Sequence, residues 1–205
     1  MINILFKMEL YIIGCGGHAK QIIDAFESKN VKITGFFDDN KTGTFCNYKI
    51  YGKISDIEKY NNITLFNAIG DNKIRKQICD KYAYKYINCI HDRAYVSRDV
   101  VMGYGNYVGP NATINPDTKI GNFNIFNYNS CIGHDTIIGD YNHFAPSSCL
   151  TGWISIGNNN FICANSTIIP KIIMKDNIVL GAGSTLIKNA EIEGTYVGSP
   201  AKFLK

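Results

Sequence analysis

A large apolar residue recurs at every sixth position through almost the whole second half of this 205-residue chain. The series runs Val96, Met102, Val108, Ile114, Ile120, Phe126, Ile132, Ile138, Phe144, Leu150, Ile156, Ile162, Ile168, Met174, Leu180, Leu186 and Ile192. In a chain that is 45% hydrophobic, 17 consecutive hits have a chance probability on the order of one in a million. Glycine often follows the apolar site directly, at 103, 109, 121, 133, 139, 157 and 181. An unbranched backbone turns there at low steric cost, so corners are expected at these glycines. Two residues before the apolar site the side chain is often small, as in Ala94, Ala112, Thr118, Ser130, Thr136, Ser148, Ser166, Ser184 and Ala190. Three flat faces per turn give an 18-residue coil, in which Ile114, Ile132 and Leu150 stack on one another. The expected shape is a triangular prism whose register runs without insertion from Val96 to Ile192, so that no long loop leaves the coil. An amphipathic helix is excluded, because it needs a period near 3.6 and Gly or Asn occurs throughout. A β-sandwich would not hold one register for almost a hundred residues.

From Glu9 to about Ile90 the pattern alternates strand and helix segments. ELYII leads into GCGGHAK, then the amphipathic QIIDAFESK, then VKITGFFDD, a βαβ unit. Gly14, Gly16 and Ala19 fit G-x-G-x-x-G/A between strand and helix, with Cys15, Gly17 and His18 in the same turn. Backbone N–H groups at such a helix start accept a phosphate. Asp38 or Asp39 lies about 20 residues on, where a ribose hydroxyl is often bound. ITLFNAIGDNKIRKQI reads as strand, turn and helix, with Gly70 at the strand end, Asn72 two residues on, and Arg75 one turn into the helix, where it meets either a phosphate or solvent. Two domains are expected, 1–90 and 91–205. The charge of +4 is spread along the chain without a basic block, which sets nucleic acid aside. Seven cysteines without a CxxC pair or metal-ligand spacing point to a reducing, cytoplasmic setting and to no metal. The apolar opening MINILFKMELYIIG lacks a basic leader, is interrupted by Lys7 and Glu9, and is too short to span a bilayer. It is expected to lead into a buried strand, with Met8 as an alternative start.

The six-residue pattern resembles the hexapeptide repeat of left-handed β-helix acyltransferases over roughly residues 92–192. GCGGHAK, FFDD and IGDNKIRK ahead of it extend the resemblance over nearly the whole chain. The family resembled is the sugar-nucleotide acetyltransferases, typified by bacterial UDP-4-amino-sugar N-acetyltransferases and sialic acid O-acetyltransferases. It implies a left-handed coil, which is an exception to the right-handed crossover rule. It also implies acetyl-CoA as co-substrate, a homotrimer with sites at subunit interfaces, and an N-terminal domain that holds the UDP part of the substrate. Where the family has His-Pro, this chain has His91-Asp92, and His91 reads as structural.

Acyl transfer from a thioester requires a base near the nucleophile and donors for the developing oxyanion. Of four histidines, His134 and His143 fall inside the repeat at outward-facing positions. Asp135 follows His134 and can orient its imidazole; the resemblance supplies the role, since relatives carry His-Glu with His as general base. The nine residues between His134 and His143 are one and a half repeats, which puts them on different faces. In a trimer, His134 of one chain would then meet His143 of its neighbour beside the thioester. Gly152 lies one coil from His134, leaving room for pantetheine and offering its N–H to the oxyanion. The resemblance assigns Asn127 to the acetyl donor and Ala164 and Ala182 to the CoA channel. It also assigns VGSPAKFLK, with Pro200, to the segment that closes over CoA. Lys188 or Lys202 is a candidate partner for CoA phosphates, and His18 for the substrate phosphate or sugar. The expected activity is acetyl transfer to the 4-amino group of a UDP-4-amino-4,6-dideoxy sugar. The rivals are O-acetylation of a sialic acid or related hydroxyl, and a non-catalytic trimeric sugar-nucleotide-binding protein. A hexapeptide carbonic anhydrase needs three metal-binding histidines, and the repeat contains two.

Overall fold

The computed structural model describes residues 9–204; the lead-in over residues 1–8 lies outside the described residues. The N-terminal unit runs β1 (Leu10–Ile13), α1 (Gly17–Ser28), β2 (Gly35–Phe37), β3 (Thr44–Phe45), β4 (Tyr48–Gly52), β5 (Thr64–Asn67), α2 (Asn72–Lys81) and β6 (Lys85–Tyr86). The sheet order is β3-β4-β2-β1-β5-β6, with β1 paired in parallel to both β2 and β5. All four residues of β1 are buried. That continuous apolar run marks a parallel strand covered on both faces. α1 covers one face with Ala19, Ile22, Ile23, Ala25 and Phe26. The other face is closed by an aromatic cluster in which Tyr11 meets Phe37, Tyr51 and Tyr60 at ring distances of 5.3, 5.1 and 5.6 Å.

The coil begins at Cys89–Ile90, two residues ahead of the expected boundary, where Ile90 pairs with Val108. Three sheets of eight, six and five strands form the prism, parallel throughout except for the last strand of the first. The first face carries Tyr107–Val108, Ile125–Phe126, His143–Phe144 and Phe161–Ile162; the second Thr113–Ile114, Cys131–Ile132 and Cys149–Leu150; the third Lys119–Ile120, Ile137–Ile138 and Ser155–Ile156. Partners lie 18 residues apart, as in Ile114↔Ile132 and Ile132↔Leu150. The inward residues form one continuous core, each large buried side chain contributing about 1.5–3 kcal/mol.

Two expectations are corrected. The corner glycines are not where the backbone turns left-handed. Positive φ recurs instead at Asn111, Asp117, Phe123, Asn129, Asp135, Tyr141, Ser147, Trp153, Asn159, Asn165, Lys171 and Asn177, three residues past the apolar site. The glycines answer to close approach: a Cβ on Gly121 would stand 2.8 Å from the Gly139 carbonyl oxygen, and one on Gly139 would stand 2.7 Å from that of Gly157. Nor does the register run on to Ile192. Met174 pairs with Ala190 and Leu180 with Tyr196, so the last coil is two residues short. Ala190 takes the inward place and Ile192 is 61% exposed.

The interior also holds a polar stack. Asn106, Asn124, Asn142 and Asn160 are fully buried at the small-residue position. Asn124 donates N–H and Nδ2 to Oδ1 of Asn106 (2.8 and 3.1 Å), and Nδ2 to the Gly139 carbonyl (2.9 Å). Asn142 repeats this on Asn124 and Gly157. In Asn106, Asn124 and Asn142 backbone and side chain are satisfied together, which is how buried amides avoid a desolvation penalty.

Gly133 offers the sharpest test of coil spacing, because a Cβ there would lie 1.5 Å from the Thr151 carbonyl oxygen. Gly133→Ala is expected to lower stability by about 3 kcal/mol, the upper range for overpacking. Gly17→Ala, in open space within α1, should change it by less than about 1 kcal/mol. Denaturant midpoints of the two variants compare them directly.

Candidate active site

The glycine turn is held by Asp38. Its Oδ2 accepts the Cys15 N–H at 2.7 Å, while Oδ1 accepts those of Asn40 and Lys41 at 2.8 Å. Asp39 accepts the Ile54 N–H at 2.9 Å. Both carboxylates therefore first serve to order the loop. Gly14 has φ +94, and a Cβ there would strike Ile69. Around Gly16 and Gly17 the space is open, and the first turn of α1 carries no acidic residue and no side-chain cap. Those N–H groups are free for an anion. Lys41, which sequence reasoning passed over, places Nζ 2.7 Å from the Cys15 carbonyl and adds a cation to this turn. Burial, and then Asp38, pushes the Cys15 thiol up to about 12, which makes it inert.

Arg75 does not meet a phosphate. It is 1% exposed and points into the junction between the two halves. Nε donates to the Phe123 carbonyl (2.9 Å), Nη1 to those of Ile69 and Gly70 (3.0 and 3.1 Å), and Nη2 to Asn72 Oδ1 (2.7 Å) and the Tyr141 carbonyl (3.2 Å). Asn72 donates onward to the Asn160 carbonyl. Both residues dock α2 on the prism. Burial pulls the guanidinium down to about 10, still charged at neutral pH.

His18 and His143 lie near this cation. His18 is edge-on to Tyr107 and pairs Nδ1 with Gln21 Oε1 at 2.9 Å; Gln21 reaches Asn127 Oδ1 at 3.4 Å. His143 points outward from the first face, as expected, but the chain's own N-terminal unit covers it. Its ring packs on Phe161 at 4.9 Å. Nε2 of both rings is buried without a partner. Burial first, and Arg75 in addition, lowers His143 to about 3 and His18 to about 4. Both are neutral, each with an unshared lone pair. His143 opens on a cavity of about 470 Å³ lined by Gly70, Asn72, Lys73, Phe161, Asn177 and Glu193.

His134 stands elsewhere, at the corner between the second and third faces. Its Nδ1 is 2.7 Å from Asp135 Oδ2, and both side chains are about half exposed. A carboxylate on Nδ1 fixes that proton and leaves Nε2 with its lone pair, the state required of a base. Nε2 lies over Gly152, where an added Cβ would come within 3.1 Å. Among the described residues the Gly152 N–H has no backbone partner. Trp153, also missed from sequence, sets its ring edge-to-face on His134 at 4.5 Å. Counting one coil from Asp135 would have found it. Ala164 and Ala182 stack at the corner between the first and second faces, joined by Gly183 N–H to the Ala164 carbonyl. Pro200 and Lys202 are exposed on a hairpin in which Ala201–Phe203 folds back antiparallel on Gly194–Gly198; Lys188 is exposed on the last coil.

Residues 9–82 match the PglD N-terminal domain. The whole fold is that of perosamine N-acetyltransferase from Caulobacter crescentus, a variant of which is known in complex with CoA and GDP-perosamine. The two are 28% identical, the match covers 96% of this chain and 97% of that one, and the TM-score is 0.90. Over nearly its whole length the chain is similar to sugar acetyltransferases of the hexapeptide left-handed β-helix family. The acetyltransferase domain of PglB from Neisseria gonorrhoeae, in complex with acetyl coenzyme A, is 25% identical over 96% of this chain and 98% of that one, with a TM-score of 0.92. An uncharacterized protein of Acanthamoeba polyphaga mimivirus is 49% identical over 105 residues, half of this chain. The chain covers 21% of that relative's length.

The two neutral histidines tie stability to pH. The unfolded chain protonates such rings near pH 6.5, the folded protein only near 4 and 3. Stability is therefore complete above about pH 6.5 and is lost as the pH falls, by about 2 kcal/mol per ring at pH 5. His143→Gln should shrink the difference between denaturation midpoints at pH 7 and pH 5. An unchanged difference would refute the burial of His143 in solution.

Proposed function

We propose that this chain transfers acetyl from acetyl-CoA to the 4-amino group of a UDP-4-amino-4,6-dideoxy sugar, with His134 as general base. The amine nitrogen attacks the thioester carbonyl, a C–N bond forms, the C–S bond breaks, and CoA leaves as the thiol. His134 Nε2 takes the amine proton and passes it to the departing sulfur. The observation that carries the proposal is the Asp135–His134 pair at 2.7 Å, with Nε2 directed over a residue that lacks a side chain. The unpaired Gly152 N–H is the proposed donor to the oxyanion. Such a pairing of base and donor is what acyl transfer to an amine requires.

The nucleotide sugar is assigned to the turn of Gly14, Cys15, Gly16, Gly17 and His18, with Asp38, Asp39, Gly70 and Asn72 around it. Arg75 supports that site from beneath. Acetyl-CoA is assigned to Asn127, His143, Gly152, Ala164, Ala182 and Pro200, with Lys188 or Lys202 on its phosphates. Neutral His143, on the wall of the cavity, would line the path of the pantetheine arm. A homotrimer would join His134 of one subunit to His143 of the next. The relative in complex with GDP-perosamine favours a second reading, a GDP-linked acceptor, for the same chemistry.

Thiol release by the purified protein, with acetyl-CoA and a panel of UDP- and GDP-linked 4-amino-4,6-dideoxy sugars, tests both readings. His134→Ala is expected to lower turnover about 10²- to 10⁴-fold, the usual worth of a general base. Undiminished turnover in that variant would sink the mechanism. Release only with hydroxyl acceptors such as sialic acid would move the activity to O-acetylation.

A further inference from the structure

Trp153 is the only tryptophan in the chain. It occupies a place that suits it poorly. Successive coils put Asp117, Asp135, Trp153 and Lys171 in the left-handed region at this corner, with φ of 59°, 54°, 51° and 65°. Aspartate tolerates that conformation, whereas a bulky aromatic residue is strained by on the order of 1 kcal/mol. The residue also remains 54% exposed, so burial offsets little of the strain. Packing of the prism does not account for it, since the neighbouring Ile154 fills the interior.

What Trp153 does touch is His134. Its backbone N–H donates to the His134 carbonyl at 3.0 Å, and the two rings meet at 86° with centroids 4.5 Å apart. Asp135 alone would hold the imidazole loosely. Both side chains of that pair are about half exposed, and one hydrogen bond leaves the ring free to swing about the line from Nδ1 to Oδ2. An edge-to-face aromatic contact, worth about 0.5–1.5 kcal/mol beyond its area, supplies the missing wall. Gly152 bounds the ring on the Nε2 side.

We propose that Trp153 is a positioning residue that clamps the His134 imidazole against Asp135, so that the Nε2 lone pair stays over Gly152. The proposal rests on the reading of His134 as the base. A base held in place matters because misplacement by about 1 Å can lower turnover by up to 10²-fold.

The single tryptophan makes the contact observable without turnover. Indole emission responds to the ring packed against it, so His134→Gln should change the intensity and maximum of Trp153 emission in the folded protein. Emission identical to the parent's in His134→Gln would overturn the contact. Trp153→Asn, at ease in the left-handed region, is expected to fold normally. It should lower kcat about 10- to 100-fold with KM for both substrates within about 3-fold, while Trp153→Phe restores most of the rate. Full kcat in Trp153→Asn, or no rescue by phenylalanine, would overturn the clamp. Relaxation of the His134 ring signals gives a readout that needs no substrate: a rigid ring in the parent protein, a mobile one in Trp153→Asn. Identical relaxation would overturn the clamp. Absence of turnover with every sugar would instead fail the assignment of His134 as base, leaving fluorescence and ring mobility to decide the contact.

Discussion

The distance between one coil and the next governs this structure. Parallel backbone hydrogen bonds hold neighbouring strands about 4.8 Å apart, and the coils repeat that spacing from the first face to the third. At that separation a residue meets the residue 18 places on, whatever lies between them in sequence. Gly121 and Gly139 cannot carry side chains because the carbonyl beyond them is already in contact. Asn106, Asn124 and Asn142 reach one another for the same reason. So does His134, whose Nε2 looks onto Gly152 and whose ring meets Trp153. A pair that no local motif would join becomes a site because the coil returns above itself.

The junction of the two halves is built on a buried cation with neutral acceptors. Arg75 finds four carbonyls and one amide oxygen, two of the carbonyls belonging to the prism. Carbonyl dipoles satisfy its donors without neutralising its charge, so the field of the guanidinium reaches the two nearby imidazoles. The same contacts settle the N-terminal unit on the first face. His91 adds to this, pairing with Asp24 of α1 at 3.2 Å and with Asp92 at 2.8 Å. Docking and electrostatics are thus two effects of one side chain.

The prism was legible in the sequence because an inward side chain every six residues is a local pattern, independent of the rest of the chain. The glycine turn was legible for a similar reason, and so were His134 and Asp135, which are adjacent. What depended on distant contacts was not. A helical arginine looks alike in solvent and in a junction, and Arg75 is buried only because Phe123 and Tyr141 come to it. The left-handed positions carry Asn and Asp often enough to be found, but Phe123, Tyr141 and Trp153 interrupt the series. Ile192 fitted the six-residue count by coincidence, since the last coil closes two residues early.

That early closure bears on how the molecule avoids growing. A parallel coil presents at its end an open row of N–H and C=O groups, a template onto which another chain could add. Here the rung Gly194–Gly198 is followed by a strand of opposite direction, Ala201–Phe203, paired Tyr196↔Phe203 and Gly198↔Ala201. An antiparallel rung has a different hydrogen-bond spacing, and a parallel coil cannot continue on it in register. The new edge is three residues long and carries Lys202, features that discourage further pairing. The shortened coil and its reversed strand thus replace an open parallel edge with a short antiparallel one that carries a lysine.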